Sequence, residues 1–424
     1  MKERDMPWLG WHRHQATRLL AALAAALMLA TPLTAADPPQ VAAGEAPDRA
    51  LGERLDKAID GAITEQRIVG AVVLVARDGR LVYHRAAGLA DREAGRAMSE
   101  DGVFRLSSLT KPMVAAAAMG LVEEGTLKLS DPVTKWLPGF HPALADGTQP
   151  VITVRHLLMH TSGLSYGFLE GPDHPYHRLG VSDGMDQAGI SLDENVNRLG
   201  KAPLSYPPGS SWRYSLSMDV LGALLAKVTG TALPDVVAAR VTRPLGMAST
   251  AFVATDRERL VTPYTDGSPS PVRMIEETRV PMRTGGFIRF APGRALDPKA
   301  FPSGGAGMVG TARDFLVFLE TMRRGGAPIL KSATVQEMMK DQVGPQATAQ
   351  GPGWGFGYGW AVLDDPTAAK TPQAKGTVQW GGAYGHSCFV DPERRLTVVA
   401  LTNTALEGMS GRFAIDVRNA VYGR

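Results

Sequence analysis

Segments with strong β-strand signals lie at the two ends of this sequence, on either side of a long helical middle. Residues 69–77 and 80–87 are rich in β-branched side chains and are joined by Asp78-Gly79, a pair typical of a tight hairpin. Strand signals return only near the C terminus, at residues 358–363, 377–380, 384–390 and 396–402. This order predicts an α+β fold in which both chain ends build one antiparallel sheet that is flanked by helices.

Helical patterns fill much of the remaining sequence. They are strongest at residues 51–66, 107–123 and 413–422. Between residues 150 and 300 they are interrupted by loops rich in Pro and Gly. We therefore predict an α/β domain formed by residues 48–110 and 300–424, a mainly helical domain formed by residues 111–299, and a cleft between the two.

The first 36 residues have the three parts of a secretory signal peptide. Basic residues come first, at Lys2, Arg4, Arg13 and Arg18. Residues 19–29 contain only Ala, Leu and Met, fewer than the ~20 residues that span a bilayer, and small residues up to Ala36 suit signal peptidase. We predict removal of residues 1–36 and a periplasmic or secreted protein without stable membrane insertion. A disordered, unprocessed extension is the alternative.

Cysteine content and charge exclude several classes of protein. Cys388 is the only cysteine, so the chain cannot form an internal disulfide, a cysteine zinc site or an iron–sulfur cluster. The net charge is +3 and no five like charges are consecutive, so nucleic-acid binding is not predicted. His156 and His160 have helical spacing, but Leu157 stands where zinc peptidases carry an acid. We predict helix-capping or core histidines and no metal.

Ser108-x-x-Lys111 is the strongest catalytic candidate. Residues three apart share one face of a helix, so the Ser108 hydroxyl can meet the Lys111 amine. Serine is a weak nucleophile until a base takes its proton, and a lysine in apolar surroundings can be that base. Lys111 opens an otherwise uncharged helix that runs through Leu121, which indicates such surroundings. Pro112 conflicts with this prediction, because it removes a backbone donor close to Ser108.

Two later segments can complete such a site. Tyr214 precedes an amphipathic helix, and a tyrosine near Lys111 can share a proton with the amine because their reference pKa values are close. Trp380-Gly381-Gly382-Ala383 closes a predicted strand, where the glycines allow a backbone N–H to approach a bound carbonyl. Considered individually, Tyr214 is equally well explained as a packed aromatic residue, and the glycines as the end of a strand.

Two further motifs fit known sites only superficially. Gly163-x-Ser165-x-Gly167 matches the nucleophile pattern of α/β-hydrolases, which requires a strand before the serine and a helix after it. Here a helical segment precedes Ser165 and a loop follows, so we predict that Ser165 is not the nucleophile. Residues 353–360 alternate Gly with aromatics, but no Lys-Ser or Lys-Thr follows. Alternation predicts a packed strand with its aromatics on one face.

The three segments resemble the ordered motifs of the serine β-lactamase-like superfamily, and most of all the class C β-lactamase-like esterases called family VIII carboxylesterases. The motifs are Ser108-x-x-Lys111, Tyr214-Ser215-Leu216 and Trp380-Gly381-Gly382. The resemblance covers residues 50–420 and implies a penicillin-binding-protein-like fold without metal or cofactor.

The resemblance also implies roles for individual residues. Ser108 would be the nucleophile that forms an acyl-enzyme, and Lys111 and Tyr214 would share general-base and general-acid work. The backbone N–H groups of Ser108 and Ala383 would form the oxyanion hole. Substrate-binding positions would be Trp380, Gly381, Gly382 and His386. For His386, a structural role at a strand end is an equally good interpretation.

Two departures from β-lactamases bear on the substrate. Trp380 stands where those enzymes usually carry the Lys of Lys-Thr-Gly, a cation that would bind the β-lactam carboxylate. Leu216 replaces the amide of their Tyr-x-Asn motif. Both changes favour a neutral, apolar substrate. We predict a carboxylesterase for short acyl esters, also able to transfer acyl groups or to open β-lactams weakly. The alternatives are a class C-type β-lactamase or D-amino-acid peptidase, and a ligand-binding module with a decayed site.

Overall fold

The computed structural model describes residues 42–43, 48–282, 285–348 and 350–424. The predicted signal peptide, residues 1–36, lies outside these residues, so export and its cleavage site stay predictions. Among the described residues, no single helix is both long and apolar enough to cross a bilayer. One pair of consecutive helical segments, Ser217–Thr229 and Leu233–Thr242, is long and apolar enough only when the two are counted together, and they are bent by 82° relative to each other.

Short strands and helices alternate along the described residues. In chain order the β-strands are β1 Ala42–Ala43, β2 Gly70–Arg77, β3 Arg80–Asp91, β4 Arg96–Ala97, β5 Phe104–Arg105, β6 Tyr264–Thr265, β7 Val272–Arg273, β8 Thr278–Pro281, β9 Phe287–Phe290, β10 Val309–Gly310, β11 Trp354–Phe356, β12 Ala361–Leu363, β13 Val378–Gly382, β14 His386–Asp391 and β15 Leu396–Thr402. The α-helices are α1 Arg49–Thr64, α2 Thr110–Glu123, α3 Val154–Leu158, α4 Pro175–Arg178, α5 Leu192–Leu199, α6 Ser217–Thr229, α7 Leu233–Val237, α8 Ala312–Arg323, α9 Ser332–Met338, α10 Glu407–Ser410 and α11 Arg412–Tyr422.

The main sheet joins the two ends of the chain. Its strand order is β1-β3-β2-β15-β14-β13-β12-β11, with β4 paired to β3. The join is the antiparallel pair β2–β15, in which Ala71 lies opposite Thr402 and Arg77 opposite Leu396. Apart from the parallel pair β1–β3, the strands of this sheet pair antiparallel. The predicted α+β fold with one sheet from both chain ends is confirmed.

Helices cover both faces of this sheet. On one face, Leu55 and Ile59 of α1 pack with Phe413 and Val417 of α11 in one apolar cluster. On the other face lies a larger core that contains α2, α6 and α8 together with the inner side chains of β13 and β14. Burial of these apolar surfaces is the main favourable term in folding. The second face is the one that carries the candidate site.

Most predicted elements are confirmed to within a few residues, and one is partly wrong. Asp78 and Gly79 both have positive φ, at 56° and 79°, which suits the tight hairpin between β2 and β3. The predicted strand at 353–360 ends at Phe356, because the Gly357 N–H turns back to the Trp360 carbonyl at 2.9 Å. Its aromatics are nevertheless all buried, as the packed interpretation predicted.

The helical middle also contains strands that the sequence pattern did not indicate. The pairs β6–β7 and β8–β9 form two small hairpins between residues 264 and 290. A third small pair, β5–β10, links the segment before α2 to the segment before α8. The predicted domain boundaries, at residues 110 and 300, stay a prediction.

Candidate active site

Ser108 lies in a short 3₁₀ helix, Ser107–Leu109, that leads directly into α2. The residue before it, Ser107, is buried and has φ +50°, a left-handed conformation that is uncommon for residues other than glycine. Pro112 is the third residue of α2. A backbone N–H in that first turn has no acceptor within the helix, so the proline costs little there. The conflict expected at Pro112 is thereby removed.

The structure brings the three predicted catalytic side chains together. Lys111 Nζ donates to Ser108 Oγ at 3.0 Å, and the Tyr214 hydroxyl lies 2.5 Å from the same oxygen. Residues 108 and 111 come from one helical turn, whereas Tyr214 comes from the loop before α6, 106 positions later. Ser108 therefore has two partners that can take or give a proton.

Lys111 is buried among aromatic rings. Its Nζ lies 4.5 Å from the centre of the Tyr214 ring and 5.2 Å from that of Tyr166, and it donates to the Gly305 carbonyl at 2.8 Å. Burial lowers the pKa of Lys111 to about 7, with the nearby Asp219 carboxylate acting in the opposite direction. A substantial neutral fraction exists at neutral pH, as a general base requires.

Tyr214 is held by aromatic contacts on three sides. The centre of its ring lies 5.4 Å from that of Trp380, 4.9 Å from Tyr166 and 5.0 Å from His160. Burial raises the pKa of Tyr214 well above its usual value, although the hydrogen bond with Ser108 acts against this shift. The tyrosine thus keeps its proton, while Lys111 gives its proton up readily.

A chain of buried hydroxyl groups lies behind Tyr214. His160 Nδ1 is 3.1 Å from Ser215 Oγ, which is 2.8 Å from Ser217 Oγ, which in turn is 2.7 Å from Ser162 Oγ. His156 plays a different part, since its Nδ1 accepts from the Thr153 N–H at the start of α3. The prediction of capping and core histidines is confirmed. Within the described ranges, no three His, Cys, Asp or Glu side chains are grouped as metal ligands.

Both predicted oxyanion-hole residues adjoin Ser107, Ser108 as its neighbour in the chain and Ala383 through a hydrogen bond. The Ala383 N–H donates to Ser107 Oγ at 3.2 Å, and that hydroxyl donates to Met185 Sδ at 3.4 Å. To bind a substrate oxygen, the Ala383 N–H must either break its hydrogen bond to Ser107 Oγ or share its proton between the two oxygens.

Ser108 opens into a cavity of about 860 Å³. Its walls near Ser108 are mostly apolar and aromatic, and they include Phe168, Met185, Tyr206, Trp212, Ile288 and Trp380. Of the predicted substrate-binding residues, Trp380 and Gly381 line this cavity. Gly382 packs against the Leu106 carbonyl, and His386 is fully buried with Nε2 2.8 Å from the Arg105 carbonyl oxygen. The structure gives these two positions packing contacts instead of a place in the lining.

Among the described residues, Ser165 has no histidine partner. It is fully buried and hydrogen-bonds through its hydroxyl to Glu170 and through its N–H to the Tyr176 hydroxyl. The helix α3 precedes it and a 3₁₀ turn, Gly167–Leu169, follows, so the strand–turn–helix context is missing. The prediction that this motif is not an α/β-hydrolase elbow is confirmed.

Two residues at the site were not singled out from the sequence. Tyr166 lies inside the misleading Gly-x-Ser-x-Gly motif, yet its ring is one of the two that Lys111 Nζ approaches, together with that of Tyr214. Asp219 is buried in the first turn of α6 and acts on the pKa of Lys111. A lone acid on an otherwise apolar helical segment was the available signal for Asp219, since an unpaired buried carboxylate is costly.

Comparison with known proteins identifies the family of this chain. A family model described as Beta-lactamase matches residues 55–422. Esterase EstB of Burkholderia gladioli is 54% identical over 376 residues, which cover 88% of this chain and 96% of that protein. The structure of EstCE1, described as a hydrolase with promiscuous acyltransferase activity, matches with a TM-score of 0.87 and 50% identity, over 89% of this chain and 99% of that one.

A more distant structure shares the fold alone. Unliganded simvastatin synthase (LovD) of Aspergillus terreus matches with a TM-score of 0.68 and 21% identity, over 88% of this chain and 98% of that one. The family match and the similarity to EstB each extend over most of the chain. The chain therefore belongs to the β-lactamase family, and its similarity to EstB and EstCE1 agrees with the predicted place among the family VIII carboxylesterases.

Proposed function

We propose that the protein is a serine carboxylesterase that hydrolyses short-chain acyl esters through an acyl-enzyme on Ser108. The observation that carries this proposal is the position of Ser108 Oγ, within hydrogen-bond distance of both Lys111 Nζ and the Tyr214 hydroxyl at the wall of an apolar cavity. Similarity to Esterase EstB and to EstCE1 supports it, and the acyltransferase activity described for EstCE1 supports transfer of the acyl group to other alcohols.

The reaction follows from the protonation states at the site. Neutral Lys111 takes the Ser108 proton while Oγ attacks the ester carbonyl, and the proton then passes to the departing alcohol by way of Lys111 or Tyr214. A water molecule next attacks the acyl-enzyme and gives its proton to the same pair, which returns one to Ser108 as the acid leaves. The N–H groups of Ser108 and Ala383 stabilise the negative oxygen in both steps.

The preference for a neutral ester follows from what lines the cavity. The Trp380 indole packs over Tyr214 and Phe356, at 5.4 Å between ring centres in both cases, so an apolar wall stands where a carboxylate-binding cation would be needed. Of the lining cations, Arg213 is already paired with Glu170 at 3.1 Å. Leu216 is fully buried and contributes no polar anchor.

Purified protein should hydrolyse p-nitrophenyl butyrate at least about 10²-fold faster, in kcat/KM, than it opens nitrocefin, because Trp380 replaces the cation that would pair with the cephalosporin carboxylate. Both rates are measured by absorbance on the same preparation, with Ser108→Ala as the control for background hydrolysis. Nitrocefin turnover equal to or faster than ester turnover would assign the protein to the β-lactamases instead.

The kcat/KM for the butyrate ester should rise with pH through about 7 and then level off. Lys111 must be neutral to accept the serine proton, and its pKa is lowered to about 7 by burial, so acidic solutions protonate the base and remove activity. His386, whose pKa burial lowers to about 4, titrates too low to cause this change. Rates measured from pH 5 to 9 check it, and a flat profile would contradict Lys111 as the base.

A further inference from the structure

A buried carboxylate lies one layer behind Lys111. Asp219, in the first turn of α6, is 1% exposed. Its Oδ1 accepts from Ser303 Oγ at 2.6 Å, whereas Oδ2 forms no hydrogen bond of good geometry among the described residues, although the nearby Gly305 N–H acts to lower the pKa of Asp219. A buried carboxylate oxygen without a partner is costly unless a neighbouring charge compensates it. The surroundings of Oδ2 therefore need a physical explanation.

Gly305 shows which groups Oδ2 faces. A Cβ atom at this position would lie 2.7 Å from Asp219 Oδ2, 2.8 Å from the Tyr166 hydroxyl and 3.4 Å from Lys111 Nζ. Three polar groups thus meet around one glycine Cα, and no side chain at that position separates them. Lys111 and Asp219 thus face each other across this glycine without forming a direct ion pair, and in a low-dielectric interior the carboxylate still acts on the ammonium form of Lys111.

One short backbone segment fixes both partners. Ser303 anchors Asp219 through its hydroxyl, and Gly305 accepts from Lys111 Nζ at 2.8 Å through its carbonyl. Between them, Gly304 packs so closely on α6 that a Cβ there would lie 2.2 Å from the Met218 carbonyl oxygen. The segment is consequently held against the first turn of α6, where Asp219 lies. Its position sets the separation between the carboxylate and the amine.

We propose that Asp219 is a positioning residue that tunes the basicity of Lys111 through the shared contact at Gly305. The proposal rests on the proposed role of Lys111 as the base for ester hydrolysis. Burial alone would make Lys111 a weak base, because it penalises the ammonium form. The Asp219 charge stabilises that form, so the proton taken from Ser108 is held better during attack on the ester. Activity near neutral pH depends on this balance.

Other ionisable groups also face Asp219. They are Lys111, Tyr166, Asp183, Tyr214 and Arg294. Burial keeps both tyrosines protonated at neutral pH. Asp183 is different, since burial raises its pKa to about 7, within the range in which Lys111 titrates. Asp183 accepts from the N–H groups of Gly167 and Phe168 at 2.7 and 3.0 Å, so it is a buried carboxyl with its own partners. It is the matched control.

The test is the pH profile of Asp219→Asn, which keeps the shape of the side chain and removes its charge. Without that charge the ammonium form of Lys111 is less stable, so the rise of kcat/KM for p-nitrophenyl butyrate should move to lower pH by about one unit. The plateau should fall by about tenfold, because a weaker base removes the Ser108 proton less well. A merely structural role would lower the rate without moving the profile.

Two further variants make the outcome decisive. In Asp183→Asn, the pH at which kcat/KM rises should stay within about 0.2 pH unit of the wild-type value. In Ser303→Ala, Asp219 loses a hydrogen bond that favours its charged form, so its pKa increases. The pH at which kcat/KM rises should therefore move in the same direction as in Asp219→Asn, but by less. This variant also provides a test if Asp219→Asn does not fold.

The outcomes separate this inference from the proposed function. A wild-type protein that does not hydrolyse the ester overturns the proposed function. The role of Asp219 alone is overturned if the wild type is an esterase but the rise of kcat/KM with pH does not move, or moves to higher pH, in both Asp219→Asn and Ser303→Ala. A shift of equal size in Asp183→Asn also overturns it, because any buried carboxyl would then have the same effect.

Discussion

Ser108→Ala should lower kcat/KM for p-nitrophenyl butyrate by at least about 10³-fold, because it removes the hydroxyl that Lys111 and Tyr214 activate to form the acyl-enzyme. Ser108 Oγ is the oxygen that both Lys111 Nζ and the Tyr214 hydroxyl contact, at 3.0 and 2.5 Å. Steady-state hydrolysis measures the loss. Intact mass after treatment with a fluorophosphonate gives a second measurement, since the wild type should gain one adduct and the variant none.

Ser165→Ala is the matched control for this variant. Ser165 is also a serine in a motif associated with hydrolases, but it is fully buried and its hydroxyl bonds to the Glu170 carboxylate, not to Lys111 or Tyr214. Activity should stay within about tenfold of wild type, with the fluorophosphonate adduct retained. The reverse result, an active Ser108→Ala and an inactive Ser165→Ala, would refute the proposed mechanism.

The catalytic side chains could be predicted because each belongs to a short segment with its own chemistry. Ser108 and Lys111 are one helical turn apart, so local geometry alone places them together. Tyr214 is 106 residues from Ser108, and nothing in the chemistry of one tyrosine predicts that distance. It was assigned through the order of three motifs in a known family, and the structure places its hydroxyl next to Ser108.

Tyr166 and Asp219 could not be assigned in the same way. Their contacts with Lys111 depend on how the loop before α4 and the segment 303–305 fold against α2 and α6, which no local pattern encodes. A buried acid in an apolar helix indicates only that some partner exists. Which partner it has is a property of the tertiary structure.

The same distinction holds for the fold. Hairpin β2–β3 and the terminal helices have strong local signals, and they were predicted to within a few residues. The hairpins β6–β7 and β8–β9 are partly exposed and their strands are only two or four residues long, too short for a periodic pattern to stand out in the sequence. The Gly-rich segment at 353–360 leaves the sheet at a tight turn in which the Gly357 N–H donates to the Trp360 carbonyl. The alternation of residues did not indicate this turn.

Tyr214→Phe should lower kcat for p-nitrophenyl butyrate by about 10²- to 10³-fold, because it removes one of the two groups that can pass a proton to the leaving alcohol. Phenylalanine keeps the ring, and with it the packing against Trp380, Tyr166 and His160. The loss therefore reports on the hydroxyl and not on the fold. Steady-state rates, together with the thermal midpoint of unfolding, check both parts of this expectation.

Tyr206→Phe is the matched control, since Tyr206 lines the same cavity while its hydroxyl bonds to the His160 carbonyl at 3.4 Å. It should retain activity within about threefold. The residual activity of Tyr214→Phe should still rise through pH ~7, because Lys111, the proposed base, loses its proton in that range. If that rise disappeared while the protein stayed folded, the proton acceptor would be the tyrosine or the coupled pair, and Lys111 alone could no longer be called the base.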